Sequence, residues 1–356
     1  MSKRYVLFAS LPYAYPILRP LQDEILRRGD EVAWYLERGC EDLLSPHESR
    51  LKSFQDVFNY KPIAIFAAGN IVYDFFPGVK VNVFHGYPIN KRNDKVDDHF
   101  HLRGWFDVCC TQGPSSTSTF SSLAERFGYF RVYETGWPKA DLLYRLKSLA
   151  STDSSHGGHV PTIFVASTFT RGISHLDEFF PVIERISRAK NWNWIVTVHP
   201  KYDNKSVCEK FRQLASQQSN VQFLPVINDV SVMATADVLL CDSSSIIIEF
   251  LMHDKPVVTY HNTSGGSHVL DVDDVDDIER ALESALSRPT ELVSSMREYV
   301  AYHERFFDGR NSARVLDAVD DFISNHMDAM KRKPRNIFRK LQLRMRLRYF
   351  YWKSNR

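Results

Sequence analysis

The 356-residue sequence has only five cysteines, and none of them forms a CxxC pair or follows the spacing of a disulfide framework. This spacing excludes a cysteine-ligated zinc site and indicates reduced thiols in a cytoplasmic protein. The sequence also lacks an apolar run long enough to span a bilayer. Its N-terminal apolar run stops at Pro12 and a charged amphipathic segment follows, which favours a first β-strand over a signal peptide.

Acidic metal-binding patterns are missing as well. The acidic stretch 271–277 lacks the glycine and the terminal glutamate of a calcium loop, and is more typical of a solvated face or of a helix start near Asp277. No acidic pair with metal-ligand spacing accompanies the polar motifs of the chain. We therefore expect chemistry without a metal or another cofactor, in which positive groups and helix termini stabilise negative charge.

Charge is unevenly distributed along the chain. The net charge of +2 combines 45 basic with 43 acidic residues, but residues 331–356 hold 11 Lys or Arg and no Asp or Glu. This leaves 34 basic against 43 acidic residues in the first 330 positions, a balance of −9. Apolar residues alternate with arginines in the tail and aromatic residues cluster at its end, which suits an anionic membrane surface.

Two other interpretations of the tail remain open. One is a disordered, solvated segment. The other is nucleic-acid binding, which is disfavoured because the body of the chain is acidic and no recognition motif is present, so no nucleic-acid partner is expected.

Short apolar strands alternate with amphipathic helices, a pattern that predicts an α/β protein with parallel sheets. A polar Gly/Ser-rich segment at 148–160 interrupts the alternation and predicts a linker. We therefore predict one α/β domain at 1–147, a second at 161–330, and a basic amphipathic tail at 331–356.

The most informative motif is the sequence Cys-Asp-Ser-Ser-Ser at 241–245, which follows an apolar strand and opens a helix containing Glu249. The first backbone N–H groups of a helix have no internal partner and attract anions. The serines are expected to cap this helix and to bind phosphate oxygens, and Glu249 to reach ribose hydroxyls. The alternative is an ordinary strand-to-helix crossing with a serine N-cap.

Six motifs occur in an order that resembles one family. They are FHGYP at 84–88, GWPKADLL at 136–143, FVASTFT at 164–170, VHP at 198–200, the segment 241–249, and FFDGRNSA at 306–313. The ordered set resembles the CDP-glycerol glycerophosphotransferase family, whose members build teichoic-acid-like polymers. The family has the GT-B fold, in which two Rossmann-like domains face a cleft. The resemblance thus implies a Rossmann-like acceptor domain at 1–147 and a Rossmann-like donor-nucleotide domain at 161–330.

The sequence departs from the family pattern at a few positions. The first histidine motif usually begins with Trp and has Thr before its Pro, where this chain has Phe84 and Tyr87. Glu249 stands where Asp is common, and the usual arginine is displaced to Arg171. The large extra segments of polymerising members are lacking. These departures concern the acceptor and the transferred group rather than the fold.

The resemblance implies transfer of glycerol phosphate, or a related polyol phosphate, from a CDP-polyol to a hydroxyl of a cell-surface glycan or lipid-linked precursor, with release of CMP. It implies His85 as the general base for the acceptor hydroxyl and His199 as a hydrogen-bond donor to the pyrophosphate. For each histidine, a structural role at a strand end is the alternative. The expected donor-site residues are Ser167, Thr168, Arg171, Asp242, Ser243, Ser244, Ser245, Glu249, Asp308, Gly309 and Ser312.

The resemblance also implies that a helix begins at 308–312 and that its first backbone amides bind the pyrophosphate from the side opposite the 241–249 segment. The expected location is cytoplasmic, peripheral on the inner face of the plasma membrane. Two other functions stay open: a GT-B glycosyltransferase or epimerase that uses another nucleotide sugar, and a membrane-bound scaffold without turnover.

Overall fold

A computed structural model describes residues 2–88, 99–152, 159–168, 172–199, 202–224 and 231–350. These residues form two compact units. The first unit comprises the described residues up to 142 together with those from 303 onward, and the second unit those between 143 and 302.

Strands and helices alternate over much of the described chain, as the periodicity predicted, although three groups of strands follow one another without a helix between them among the described residues. The strands are β1 (Arg4–Ala9), β2 (Glu31–Leu36), β3 (Arg50–Leu51), β4 (Ala64–Ala67), β5 (Val79–Asn82), β6 (Val108–Thr111), β7 (Arg131–Glu134), β8 (Thr162–Ser167), β9 (Asn193–Val198), β10 (Val221–Leu224), β11 (Val238–Cys241), β12 (Val257–Tyr260) and β13 (Leu270–Val272). The α-helices are α1 (Ala14–Arg27), α2 (Phe54–Tyr60), α3 (Pro114–Phe127), α4 (Pro138–Thr152), α5 (Leu176–Ala189), α6 (Lys205–Gln217), α7 (Ser231–Thr235), α8 (Ile246–Leu251), α9 (Ile278–Ser287), α10 (Thr290–His303), α11 (Asn311–Asp321) and α12 (Ile337–Leu347). Shorter helical turns span Val275–Asp277, Phe322–His326 and Met327–Ala329.

The first unit is built on a seven-stranded sheet in the order β3-β2-β1-β4-β5-β6-β7, with every recorded pair parallel. Its central strands are buried along their length, as expected for a parallel sheet covered by helices on both faces. The strand order reverses between β1 and β4. Ligands of such sheets bind beyond the carboxyl ends of the strands at this reversal.

The second unit contains a six-stranded parallel sheet in the order β10-β9-β8-β11-β12-β13. Its order reverses between β8 and β11, where Ala166 is paired with Cys241. The carboxyl ends of β9, β8 and β11 therefore lie side by side at one edge of the sheet. The prediction of two parallel-sheet α/β units is confirmed.

The boundaries between the units differ from the expected ones. Residues from 303 onward belong to the first unit, whereas the second domain was predicted to run to 330. Packing explains this placement, because α11 lies against α1 and β6 of the first unit and buries Val315, Leu316 and Val319. An exposed ion pair between Lys3 and Asp320 at 2.7 Å accompanies this packing. In addition, α4 continues to Thr152 and occupies the beginning of the predicted linker at 148–160; residues 153–158 lie outside the described part of the chain.

The basic tail is helical between Ile337 and Leu347 and packs on the first unit. Leu343 and Arg344 are only 4% and 5% exposed, and the Arg344 guanidinium contacts the Asp74 carboxylate at 3.3 Å. The alternative of a disordered, solvated tail is therefore wrong for residues 331–350. No helix in the described ranges has the length and apolar content needed to cross a bilayer.

Candidate functional site

His85 lies on a turn directly after β5 in the first unit, and its side chain is exposed. The preceding residue, Phe84, has a φ of 58°, a left-handed conformation that costs a bulky residue about 1–3 kcal/mol. Hydrogen bonds on both sides hold this turn: Trp137 Nε1 donates to the Phe84 carbonyl at 3.2 Å, and Gln112 Nε2 donates to the Gly86 carbonyl at 2.8 Å. The imidazole is thus presented to solvent from a fixed, strained backbone.

The His85 ring contacts the β1–β4 reversal of the same unit. Its centroid lies 5.4 Å from that of Tyr13, which directly precedes α1. A Cβ added to Gly69, just after β4, would lie 3.0 Å from both the Ser10 and Tyr13 hydroxyls, so the chain segments approach closely here. Burial raises the pKa of the Tyr13 phenol. A protonated phenol and an imidazole therefore share the position where parallel sheets bind ligands.

Glu304 connects several of the sequence motifs in the first unit. It is 2% exposed, and its carboxylate accepts hydrogen bonds from Tyr87 Oη at 2.7 Å, Trp137 N at 3.1 Å and Asn311 Nδ2 at 3.1 Å. Burial raises the pKa of this carboxyl group well above its usual range. A Cβ at Gly136, where φ is 75°, would lie 2.5 Å from the Glu304 carboxyl oxygen. Glu304 therefore fixes the turn that carries His85.

The start of α11 is already bound to a carboxylate of the protein. The amides of Asn311 and Ser312 donate to the two oxygens of Asp141 at 2.8 and 2.7 Å, in the buried interior of the first unit. Burial raises the Asp141 pKa, against the opposing effect of these bonds. The expectation that Ser312 and its helix start hold the donor pyrophosphate is thus corrected, because its first two amides bind Asp141.

The two other residues expected at this helix start are exposed. The Asp308 carboxylate accepts from the Arg314 guanidinium at 2.9 Å and from the Arg310 amide at 3.1 Å, and the Arg314 contact lowers its pKa. Gly309 has a φ of 73°, the left-handed conformation that a tight turn requires. Both residues belong to the first unit. The turn formed by Ser243, Ser244 and Ser245, called the serine turn below, belongs to the second unit.

Asp242 links the two central strands of the second unit. It is fully buried, and it accepts hydrogen bonds from the Thr168 amide at 2.9 Å, from the Ser167 hydroxyl, and from the His175 amide at 3.4 Å. Burial raises the pKa of its carboxyl group. These bonds cross the β8–β11 reversal. We therefore assign Asp242 to the positioning of the end of β8 and the start of the following loop, where the predicted donor residues Ser167 and Thr168 lie.

The serine turn lies at the same sheet edge but differs in detail from the expectation. Ser245 is the N-cap of α8 and its side chain makes no capping bond, and Ser244 Oγ lies 3.5 Å from the Ile246 amide. Ser243 Oγ instead accepts from the Thr263 amide at 2.8 Å, in the loop after β12. Glu249 lies on α8 and is buried.

A depression of about 270 Å³ adjoins this serine turn within the second unit. The Nδ2 atom of Asn262 is buried there and has no hydrogen-bond partner among the described residues. The His268 ring stacks on Tyr299 with centroids 3.5 Å apart, and burial lowers the His268 pKa to about 4. The depression is lined by Ser243, Ser244, Ile247, Asn262, Thr263, Ser264, His268 and Tyr299.

His199 follows β9, next to β8 in the sheet, and is half-buried. Its backbone carbonyl accepts a hydrogen bond from the Tyr202 amide at 2.8 Å. The structure thus brings His199, Ser167, Thr168 and the serine turn to one edge of the second sheet. The predicted donor residue Arg171 lies outside the described residues. Within the part of the chain that the structure describes, no group of His, Cys, Asp and Glu could hold a metal ion.

Sequence reasoning missed Tyr13, Glu304, Asn262 and His268. Tyr13 and Asn262 each follow the carboxyl end of a strand, at β1 and β12, so the rule that ligands bind at these ends could have found them. No motif marks Glu304 or His268, because their roles depend on contacts with distant parts of the chain.

The geometry can be compared with known proteins. A model of the UDP-N-acetylglucosamine 2-epimerase family matches residues 118–320. The chain belongs to this family. The match includes the loop after β8, the serine turn and the start of α11. No curated protein matches the sequence significantly.

Solved structures similar to this member of the family share its fold at low sequence identity. The wall teichoic acid polymerase TagF has a TM-score of 0.64 and 13% identity, over 91% of this chain and 90% of that one. A structure of MnaA from S. aureus with UDP has a TM-score of 0.61 and 14% identity, over 93% and 99% of the two chains. A UDP-N-acetylglucosamine 2-epimerase has a TM-score of 0.61 and 16% identity, over 94% and 99%. The fold is therefore GT-B, as the sequence resemblance implied. The family match, and not these structures, relates the chain to enzymes of nucleotide sugars.

Proposed function

We propose that the chain transfers glycerol phosphate, or a related polyol phosphate, from a CDP-polyol to a hydroxyl of a cell-surface glycan or lipid-linked precursor. The acceptor oxygen attacks the phosphorus that carries the polyol, and the bond from this phosphorus to the CMP oxygen breaks. The hydroxyl proton passes to His85. The products are a phosphodiester and CMP, and the reaction takes place on the cytoplasmic side of the plasma membrane.

The observation that carries this proposal is the His85 turn. A histidine is suited to accept the proton of an attacking hydroxyl, because its pKa lies near working pH in water. Residues 83–88 contain no carboxylate, so His85 is the side chain of this turn that can act as a base. The left-handed Phe84 and the bonds to both flanking carbonyls keep this base at the end of β5. Strained turns of this kind are concentrated at functional sites.

The second unit supports a nucleotide donor. The hydroxyls of Ser244 and Ser245 and the backbone amides of this turn can donate hydrogen bonds to phosphate oxygens, although α8 is only six residues long and contributes a small dipole. The Ser243 hydroxyl is occupied, because it donates to Asn262 Oδ1 at 3.3 Å. The side-chain NH₂ of Asn262, which has no partner among the described residues, and the neutral His268 ring in the adjoining depression can donate to carbonyl groups of a base or hydroxyls of a sugar. Two structural neighbours were solved with related molecules, TagF with CDPG and MnaA with UDP.

A donor panel tests the proposal. The protein is incubated with CDP-glycerol, UDP-glucose or UDP-N-acetylglucosamine, with a detergent extract of lipid-linked glycans as the hydroxyl source. We expect CMP from CDP-glycerol, because phosphoryl transfer releases a nucleoside monophosphate, and neither UMP nor UDP from the two UDP-sugars. Chromatography of the nucleotide products gives the answer, and a reaction without extract measures hydrolysis. Release of UDP without CMP, or no product from any donor, would contradict the proposal.

The second candidate is a nucleotide-sugar enzyme, a 2-epimerase or a glycosyltransferase. The match to the epimerase family over residues 118–320 favours it. Epimerisation leaves the nucleotide intact and inverts carbon 2 of the sugar, whereas glycosyl transfer releases a nucleoside diphosphate. NMR spectra of the UDP-N-acetylglucosamine reaction in the same panel therefore separate both alternatives from phosphoryl transfer.

His199 is expected to stabilise the charge that develops on departing CMP. Replacing it with alanine should lower kcat about 10²-fold and change KM less, because a hydrogen bond to a leaving group is strongest in the transition state. The exposed His159 of the same unit provides the matched control His159→Ala. Steady-state kinetics of CMP release measure both variants. A tenfold rise in KM with unchanged kcat would assign His199 to ground-state binding instead.

A further inference from the structure

One face of α12 anchors the helix to the first unit. The anchored positions 340, 343, 344 and 347 recur at helical spacing. Leu343 belongs to the hydrophobic core of this unit. The Arg344 guanidinium lies 5.0 Å above the Phe75 ring, and Lys340 Nζ is 3.4 Å from Asp74. These contacts fix the direction in which the rest of the helix points.

The outward face of the helix is apolar as well. Phe338 is 89% exposed, and Ile337, Met345 and Leu341 are 57%, 54% and 39% exposed. Positions 337, 338, 341 and 345 form one continuous stripe on a helix. A helix that lies on a protein surface needs only its inner face to be apolar. The outward stripe therefore serves a purpose other than the packing of α12.

Basic residues border this stripe without acidic residues between them. Arg332, Arg335 and Arg348 are exposed, and residues 331–350 contain no Asp or Glu. Arg346 is also exposed, but its guanidinium is paired with the Glu37 carboxylate. The segment before the helix is held in place, because Lys333 Nζ donates to the Trp105 carbonyl at 2.8 Å and contacts Asp107 at 2.6 Å. The stripe and its basic border are thus presented as one fixed surface.

We propose that the outward face of α12, defined by Ile337, Phe338, Leu341 and Met345, docks the first unit on an anionic lipid surface. Apolar side chains enter the boundary between headgroups and acyl chains, while arginines bind the lipid phosphates. A nucleic acid would bind the arginines through its phosphates but would leave the apolar stripe exposed. A purely apolar partner surface would cover the stripe but would leave the arginines without anionic partners. The proposal goes beyond the transfer reaction and does not depend on its chemistry.

Co-sedimentation with vesicles tests this proposal. The full chain is mixed with vesicles of phosphatidylcholine alone, or with phosphatidylglycerol added, at low and high salt. We expect binding to the anionic vesicles and a partition coefficient about tenfold lower for the double variant Phe338→Ser/Met345→Ser. The pair Arg332→Gln/Arg335→Gln should reduce the preference for anionic vesicles. The matched control is Leu26→Ser/Leu43→Ser, two exposed leucines elsewhere in the same unit.

Each other outcome overturns the proposal. Failure of the wild-type chain to bind anionic vesicles, or equal binding by the wild type and the Phe338/Met345 variant, removes the lipid surface as the partner. Equal loss in the leucine control shows that the stripe is not specific. Sedimentation velocity tests a second copy of the chain as occupant: a wild-type dimer that the stripe variant dissociates, without vesicle binding, assigns the face to self-association. The pair Ile337→Ser/Leu341→Ser repeats the test if the first variant misfolds.

Discussion

Replacement of His85 by alanine is expected to lower kcat for CMP release about 10³-fold, the usual contribution of a general base. The side chain is exposed and the turn is held through backbone carbonyls and Tyr87, so the free energy of unfolding should change by less than about 0.5 kcal/mol. Loss of turnover in a folded protein is the signature of a residue that acts on the substrate.

The matched control for this variant is His47→Ala, which removes another exposed histidine of the first unit. Single-turnover kinetics with CDP-glycerol measure the chemical step, and urea unfolding monitors the fold. We expect normal kinetics in the control. A His85 variant that retains more than about one tenth of wild-type kcat would not fit a general base and would leave the histidine a structural role.

Much of the fold was predictable because periodicity reports local structure. The apolar strand before Asp242 and the helix after it were both identified, and the carboxyl ends of parallel strands then place Ser167, His199 and the serine turn at one sheet edge. The sequence could not show what each polar group would bind. Ser243 bonds Thr263 in a different loop, and Asp242 bonds the main chain after β8.

The placement of the chain after residue 302 was not predictable from local patterns. The helix start at Asn311 has the composition of an anion site, and its amides do bind a carboxylate, but the partner is Asp141, 170 residues earlier. The packing of the apolar face of α11 against α1, far away in sequence, decides which unit the helix joins. Glu304 belongs to the same class, since two of its three donors, on Tyr87 and Trp137, lie more than 160 residues away in sequence.

Glu304→Ala is expected to destabilise the first unit by about 4 kcal/mol. The substitution leaves three buried donors, on Tyr87, Trp137 and Asn311, without their acceptor, and each unsatisfied buried group costs about 1–3 kcal/mol. Glu304→Gln is the matched control, because its amide oxygen can accept from Trp137 and Asn311 while its NH₂ donates to Tyr87. Urea unfolding should place the Gln variant within about 1 kcal/mol of wild type near pH 5.

The pH dependence separates a protonated Glu304 from an ionised one. Burial raises its pKa in the folded state, so the folded protein retains a proton that the unfolded chain releases above about pH 4.3. The stability from this proton is complete below the unfolded pKa and is lost as pH rises towards the folded pKa. The Gln variant has no such proton. Wild type should therefore lose stability relative to Glu304→Gln by up to about 1.4 kcal/mol per pH unit above pH 4.3.

Unfolding of both proteins across this pH range, with hydrogen exchange of the peptide that carries His85, measures the difference within the first unit. A stability difference that stays constant with pH would show that Glu304 has the same protonation state in the folded and unfolded chains. Faster exchange around His85 in the alanine variant alone is expected, because Tyr87 is the bond that joins this turn to Glu304. Unchanged exchange there would show that Glu304 stabilises the first unit without holding the turn that carries His85.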